Sequence, residues 1–273
     1  DANSRISLSN NDSGTSNTIF GKSAGASLDA GSNYNVFIGE AVSDATMNDA
    51  TNNVGVGYSA LSALTTGDQN VAIGHSALLA LNTGSSMVAI GRDAGAAVTD
   101  GLNSVIIGQG AGITTTSVQS VVIIGNDAGA ANMTTDANGT VAVGSSALKR
   151  LTSGERNIAI GYQALEDLPD GDDNIAIGYQ ALTDASTTNT VRNIGIGSYA
   201  LESLNANCSD NVAIGYKSLE NANNNDIDLN VAIGSYVMDG ITSQGVWGCV
   251  GIGSSAMSGV MTAATVGTVG IGY

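Results

Sequence analysis

One glycine returns every 17 to 19 residues along almost the whole chain, and this spacing strongly limits the possible folds. It closes a short apolar run each time, as in Asn70-Val71-Ala72-Ile73-Gly74. A unit this short cannot bury an apolar face alone, so neighbouring units must stack on one another, which predicts a solenoid. The recurring residues are Gly21, Gly39, Gly57, Gly74, Gly91, Gly108, Gly125, Gly144, Gly161, Gly178, Gly197, Gly215, Gly234, Gly253 and Gly272.

The three residues before each glycine alternate between large and small side chains. Val or Ile stands three residues before it in every unit but the first, and an apolar residue, mostly Ile, stands directly before it. Ala or Gly fills the position between them in most units, as in residues 175–177. This period of two predicts a short strand with both faces buried. One face would line the inside of the coil, and the other would need a partner chain.

The segment after the glycine predicts a second apolar wall. Ala dominates the third position, Leu often follows it, and another Leu comes three residues later, as in residues 164–168. Three-residue spacing favours a helical turn or a corner over a flat strand, and the pattern leaves the conformation open. Gly, Asp, Asn and Pro end the units, so we expect the differences in unit length to lie in loops.

These patterns together predict an all-β solenoid, a parallel β-roll of about fifteen coils of 17 to 19 residues. The repeats occupy residues 17–273, and residues 1–16 would form a lead-in or cap. No shift in composition divides the repeats, which favours a single repeat domain.

The charge balance excludes two classes of partner. The chain has 24 Asp and Glu residues against 8 Lys and Arg, a net charge of −16. Nucleic acids and anionic membrane surfaces both require clustered basic residues, so we expect neither as a partner. No apolar stretch approaches the length of a membrane span, so we expect no membrane insertion.

Asparagine stands four residues before the glycine in nine units. Stacked in register, these amides would hydrogen-bond from coil to coil as a ladder. The residues are Asn17, Asn35, Asn53, Asn70, Asn157, Asn174, Asn193, Asn211 and Asn230.

Acidic residues recur five or six positions before the glycine. A solvated acidic edge that keeps the protein soluble is the favoured interpretation. The alternative is bound Ca²⁺, which would relieve the repulsion between like charges one coil apart. The residues are Asp68, Glu155, Asp172, Asp173, Asp210 and Asp228.

The residue directly after the glycine is polar or aromatic and is predicted to face solvent. Tyr58, Tyr162, Tyr179 and Tyr216 in this column are the candidate binding residues, an aromatic strip for a sugar or surface polymer. Packing between coils or subunits is the alternative. His75, the single histidine, shares the column but has no cysteine or metal-ligand cluster beside it in the sequence. We therefore expect no catalytic site, no metal site and no cofactor.

The core Asn-Val-Ala-Ile-Gly, repeated in tandem with Ala three residues later, resembles the YadA-like head repeats of trimeric autotransporter adhesins. The unit Ile-Gly-Tyr-Gln-Ala-Leu at 160–165 and 177–182 is also similar to the repeat regions of bacteriophage tail fibres. The resemblance covers residues from about 17 to 273 and implies a left-handed parallel β-roll wound as a homotrimer. It brings no catalytic residues. Units longer than the usual adhesin head unit predict a wider coil or a larger loop.

The favoured function is a structural and adhesive fibre segment, extracellular, on a virion or a cell surface. Its trimeric rod would make multivalent contacts with a polysaccharide or protein receptor. An acyltransferase-like enzyme of the left-handed hexapeptide β-helix type is the alternative, because Ile-Gly-x-x-Ala matches one hexapeptide side. An ice-binding solenoid is a third possibility. It would require a regular threonine face, whereas the threonines here cluster in turns.

Overall fold

The structure is a computed structural model that describes residues 6–7, 14–134, 137–185, 190–204, 208–221, 227–241, 245–259 and 265–273. The chain divides into two compact units, residues 1–138 and 139–273. Each unit is all-β: every coil of 17 to 19 residues contributes one three-residue strand, and four two-residue strands add to these in the described ranges. The prediction of an all-β parallel solenoid is therefore confirmed.

The first unit begins with a strand of opposite direction. β1 pairs antiparallel with β2, and each later strand of the unit pairs in parallel with the strand one coil before it. The strands are β1 (Ile6–Ser7), β2 (Thr18–Phe20), β3 (Val36–Ile38), β4 (Val54–Val56), β5 (Val71–Ile73), β6 (Val88–Ile90), β7 (Val105–Ile107) and β8 (Val122–Ile124).

The second unit contains two parallel sheets. The main sheet runs through β9 (Val141–Val143), β10 (Ile158–Ile160), β11 (Ile175–Ile177), β12 (Ile194–Ile196), β13 (Val212–Ile214), β15 (Val231–Ile233), β17 (Val250–Ile252) and β19 (Val269–Ile271). A three-stranded sheet in the same unit joins β14 (Ile227–Asp228), β16 (Val246–Trp247) and β18 (Thr265–Val266). The register follows the repeat, with Ala159 opposite Ala176 and Ile160 opposite Ile177.

The recurring glycine is required for two reasons. Gly91 has φ +134° and Gly178 has φ +140°, a backbone conformation that L side chains rarely adopt. A Cβ on Gly91 would also lie 2.6 Å from the carbonyl oxygen of Gly108 in the next coil. The glycine therefore recurs once in each coil because the backbones of adjacent coils come too close at this point to admit a side chain.

The second wall is a left-handed corner. In the coil of Gly161, Gln163 has φ 54° and Leu165 has φ 51°, and equivalent residues of the other coils also have positive φ. The corners hydrogen-bond from coil to coil, as from Leu148 N to Ala164 O at 3.0 Å. Leu165 and Leu168 are fully buried. The three-residue spacing of leucine thus marks a corner, one of the two conformations that the sequence left open.

In the three-residue strands from β2 to β17, only the central residue's face is buried within the chain. The central residue, such as Ala72 or Ala176, points into the coil and is fully buried. The large residues on either side point outwards, and Ile73 remains 38% exposed. The central residues of the strands thus line the coil interior, small in most coils and large in four of them, and the outward Val and Ile residues form a continuing apolar column along each unit.

The asparagine ladder is present in both units. Oδ1 of Asn174 accepts hydrogen bonds from the backbone N and from Nδ2 of Asn193, at 3.0 and 3.2 Å. Nδ2 of Asn174 in turn donates to the carbonyl oxygen of Thr190 at 2.8 Å. All nine asparagines of the predicted set are buried. Each amide thus satisfies polar groups of a neighbouring coil.

Candidate binding surface

The four predicted tyrosines lie on the surface, as expected for the column after the glycine. Their exposed fractions run from 40% for Tyr216 to 53% for Tyr58. They do not form one strip, however. Tyr58 lies in the first unit and stacks on His75, with ring centroids 5.3 Å apart, whereas Tyr162, Tyr179 and Tyr216 lie in the second unit.

The second unit carries a row of five tyrosines, which we call the tyrosine ladder. Tyr162 and Tyr179 stack almost in parallel, with centroids 5.4 Å apart and an interplanar angle of 13°. The next three pairs meet edge to face at 5.3, 6.0 and 5.3 Å, an arrangement that aromatic rings favour. The ladder consists of Tyr162, Tyr179, Tyr199, Tyr216 and Tyr236.

Two members of the ladder were not predicted from the sequence. Tyr199 and Tyr236 stand two residues after the glycine, and serine occupies the expected column in their coils. Both tyrosines have left-handed backbone conformations, φ 59° and 57°, as part of the corner. This conformation brings them beside the tyrosines of the adjacent column. The tripeptide Gly-Ser-Tyr, at 197–199 and 234–236, was the available signal.

A lysine and two carboxylates lie beside the ladder. Nζ of Lys217 is 5.3 Å from the ring centroid of Tyr199 and 5.7 Å from that of Tyr216, within cation–π range. The same nitrogen lies 2.6 Å from Oε1 of Glu220, and this hydrogen bond raises the pKa of Lys217. Partial burial, together with the nearby Glu220, raises the pKa of Glu202. The cation is therefore already paired with an acid of the same corner.

Neutral polar groups complete this surface. Nε2 of Gln180 donates to Oε1 of Gln163 at 2.8 Å, so the two amides form a rung beside Tyr162 and Tyr179. Partial burial within the ladder raises the pKa of Tyr199 and of Tyr236, and the neighbouring phenols add to this effect. Both groups thus stay protonated at neutral pH. The surface offers aromatic rings, phenol hydroxyls, amides and one paired cation.

The surroundings of His75 do not form a catalytic triad. Oγ of Ser76 lies 3.0 Å from Nδ1 of His75, and Oδ1 of Asp93 lies 3.7 Å from the same nitrogen. In a triad the acid and the nucleophile face opposite ring nitrogens, so that one orients the base that activates the other. Ser76 is also buried. This geometry gives no support to a nucleophile at this position.

Side chains of the acidic edge form hydrogen bonds and ion pairs with the preceding coil, in addition to facing solvent. Oδ1 of Asp68 accepts hydrogen bonds from the backbone N and Oγ1 of Thr51, at 2.6 and 2.9 Å. Arg156 donates to both carboxylate oxygens of Asp173, and this lowers the pKa of Asp173. Repulsion between like charges is thus relieved by arginine and by donors of the preceding coil.

Two further classes of feature are absent from the described ranges, a metal-binding cluster and a membrane-spanning helix. These residues hold no group of three or more His, Cys, Asp or Glu side chains arranged to bind a metal ion. They also contain no helix with the length and apolarity needed to cross a bilayer.

Comparison of the chain with protein-family models, with curated proteins and with solved structures gave no match. The likeness to adhesin heads and tail fibres therefore rests on the repeat motif, and the fold alone is established for this chain.

Proposed function

We propose that this chain is a non-catalytic structural and adhesive fibre segment that acts as a homotrimer outside the cell, on a virion or a cell surface. A parallel β-solenoid suits a structural, fibre-like role, because each coil needs only its neighbours for stability. The observation that carries the proposal is the outward apolar column of Val and Ile on the strands of both units.

This column is the face that a second copy would cover. Parallel sheets are normally buried on both faces, and a monomer rarely exposes a long continuous apolar patch. Ile160 is 39% exposed, and Ile214, Ile233 and Ile252 are each 37% exposed. Burying each remaining side chain against a neighbour would add about 25 cal/mol for every Å² of apolar surface covered.

In a closed ring of parallel chains, every subunit would bury its outward apolar column against a neighbouring subunit. The same face is repeated at each coil, so copies related by a rotation axis parallel to the solenoid present it to one another in register. The motif resemblance favours three copies. Adhesion then follows from geometry, since each exposed column is presented three times and weak contacts gain by avidity.

The proposal is tested by separating the chains without unfolding them. The double variant Ile160→Asp and Ile177→Asp places charges in the outward column, and circular dichroism checks that the solenoid persists. We expect wild-type protein to bind target cells and the dissociated chains to lose most of that binding. Equal binding by intact and dissociated protein would contradict a multivalent adhesive role.

The enzyme alternative is tested in parallel with His75→Ala. This substitution leaves the outward column intact and removes the single histidine. Loss of a measurable transferase activity in that variant, with assembly unchanged, would replace the structural proposal with a catalytic one.

A further inference from the structure

The tyrosine ladder is a surface feature that the solenoid itself does not require. Apart from Tyr58, His75 and Tyr273, the other coils place charged, polar or small residues in the same two columns, and their strands continue without change. Five aromatic side chains nevertheless follow one another over consecutive coils of the second unit. A run of this kind, exposed to solvent, is typical of a recognition surface.

We infer that the tyrosine ladder binds a neutral, linear polysaccharide laid along the coils. The inference rests on the proposed function, because it gives the adhesive fibre a ligand class and a site. Three features of the ladder support it: its spacing, its chemical groups and its charge.

The spacing favours an extended polymer with a short repeat. Successive ring centroids lie 5.3 to 6.0 Å apart, and the rings follow a single line of coils. This step is close to the length of one pyranose unit in an extended glycan chain. A compact ligand would contact one or two rings, whereas a linear chain can contact all five.

The groups on the ladder match the two kinds of surface that a sugar presents. Aromatic rings pack against the apolar C–H faces of a pyranose ring, and tyrosine also has a hydroxyl at its tip. The protonated phenols of Tyr199 and Tyr236 can both donate and accept hydrogen bonds. The amides of Gln163 and Gln180 extend this polar rim.

The charges select against ionic ligands. Glu202 and Glu220 lie near the ladder within a chain of net charge −16, which disfavours an anionic polymer. A cationic ligand would seek the ring faces next to a carboxylate. Lys217 already occupies that position, held by Glu220 at 2.6 Å. A neutral chain is the ligand that meets no charge penalty.

The ladder is also held rigidly. Its residues lie on the left-handed corners, whose backbones hydrogen-bond from coil to coil, as from Tyr199 N to Tyr179 O at 2.9 Å. A preorganised strip loses little conformational freedom on binding, so weak contacts at each ring can sum along the chain.

The experiment titrates the full protein with defined oligosaccharides by calorimetry and by NMR of labelled tyrosines. The neutral probes are hexasaccharides of β-1,4-glucan, β-1,4-mannan and α-1,4-glucan, each with its shorter homologues. Hexagalacturonate is the anionic control, and a proline-rich peptide represents an extended protein ligand. We expect a neutral hexasaccharide to bind, with affinity rising from the disaccharide to the pentasaccharide.

The decisive variants differ in whether they touch the ladder. Tyr199→Ser combined with Tyr236→Ser removes two rungs, and we expect affinity to fall about tenfold or more. Tyr58→Ser is the control, since Tyr58 also lies on the surface, 53% exposed, but stacks on His75 in the first unit and outside the ladder. We expect this control to bind like the wild type.

Several results would overturn the inference. The inference is wrong if no neutral hexasaccharide binds, or if the double variant binds as tightly as the wild type. It is also wrong if the protein prefers hexagalacturonate or the peptide. A change in native mass of the double variant would instead make the ladder a contact between subunits. The proposed function is tested by a separate result. If the double variant still assembles and binds cells, the fibre role stands and only the ligand assignment is lost.

Discussion

Cδ1 of Ile123 lies 3.2 Å from the point where a Cβ on Gly129 would stand. The two residues face each other inside one coil, six positions apart, and they share a fixed volume. Where the strand centre is large, the residue six later is small: Ile19 with Gly25, Phe37 with Ser43, Ile106 with Gly112 and Ile123 with Gly129. Where the centre is Ala or Gly, that residue is usually Leu or Met, as in Ala159 with Leu165.

One coil does not follow this pairing of a large residue with a small one, and the side chains of the adjacent coils explain why. Ala89 is followed by Gly95, so both positions of the coil are small. A Cβ on Gly95 would lie 3.1 Å from Cδ2 of Leu78 and 3.2 Å from Cδ1 of Ile106. Side chains of the adjacent coils therefore fill the space. Core volume is conserved along the stack as well as within a coil.

The complementary sizes of the strand centre and the residue six positions later predict that substitutions at the two positions are coupled. Ile123→Ala alone should cost about 2–5 kcal/mol by leaving a cavity, and Gly129→Leu alone should destabilise by overpacking against Ile123. The double variant recreates the Ala and Leu arrangement of other coils, where Leu148 and Leu165 also have positive φ. We expect a favourable coupling energy of about 1–3 kcal/mol in a double-mutant cycle of urea unfolding. Additive effects would show that the two positions do not share a volume.

The asparagine ladder predicts a large effect from an isosteric change. Asn174→Asp replaces the amide nitrogen, which donates to Thr190 O and to Asn157 Oδ1, with an acceptor. The buried partners lose their donor, so we expect a loss of at least about 1–3 kcal/mol at neutral pH. Asn221→Asp is the control, because Asn221 is exposed and lies outside the ladder. Equal shifts in thermal midpoint for the two variants would argue against the ladder as a source of stability.

Glu202 gives a prediction for the dependence of stability on pH. Its pKa in the folded protein is raised by partial burial and by Glu220, from a reference value of 4.5. The protonated form is therefore favoured by folding, and this contribution is present below the reference pKa and is lost as pH rises through the folded pKa. Glu202→Gln should raise the thermal midpoint slightly at pH 7 and have no such benefit below about pH 4.

The control for this pH effect is Glu40→Gln. Glu40 is about half exposed and forms an ion pair with Lys22, so its amide should bring no gain in stability at pH 7. A thermal midpoint that rises for both variants, or for neither, would show that the surroundings of Glu202 do not set the effect.

Much of the fold was predictable, because each coil repeats the same local rules. The glycine period predicted the solenoid, and the buried Asn174 and its equivalents lie in the ladder that their spacing indicated. The conformation of the corner was not predictable, since Leu at φ 51°, as in Leu165, contradicts the usual preference of that residue. Contacts with neighbouring coils, which a single unit does not reveal, hold it there.

The candidate site was predicted only in part. Tyr162, Tyr179 and Tyr216 were found because they share one column, whereas Tyr199 and Tyr236 were missed because they stand in the next. The left-handed corner makes these two columns neighbours in space. Tyr58 was placed with the others by spacing, although it lies in the first unit beside His75.

The direction of the strand residues predicts how two nearby substitutions will differ. Ile177→Asp places a charge in the outward apolar column, and we expect it to weaken the assembly by several kcal/mol for each buried copy. Tyr179→Ser, two residues away, lies outside that column and should cost less than about 1 kcal/mol. Thermal unfolding at several protein concentrations checks both. If the thermal midpoints of the two variants depended on protein concentration in the same way, the assignment of the outward face would be wrong.

The most direct test of the account is the mass of the native protein in solution. We predict that sedimentation at micromolar concentration gives a single species of three times the chain mass of 27.1 kDa, and that Ile177→Asp shifts it towards the monomer. A stable wild-type species of 27.1 kDa at that concentration would show that the outward Val and Ile column needs no partner chain, and would contradict the trimeric fibre.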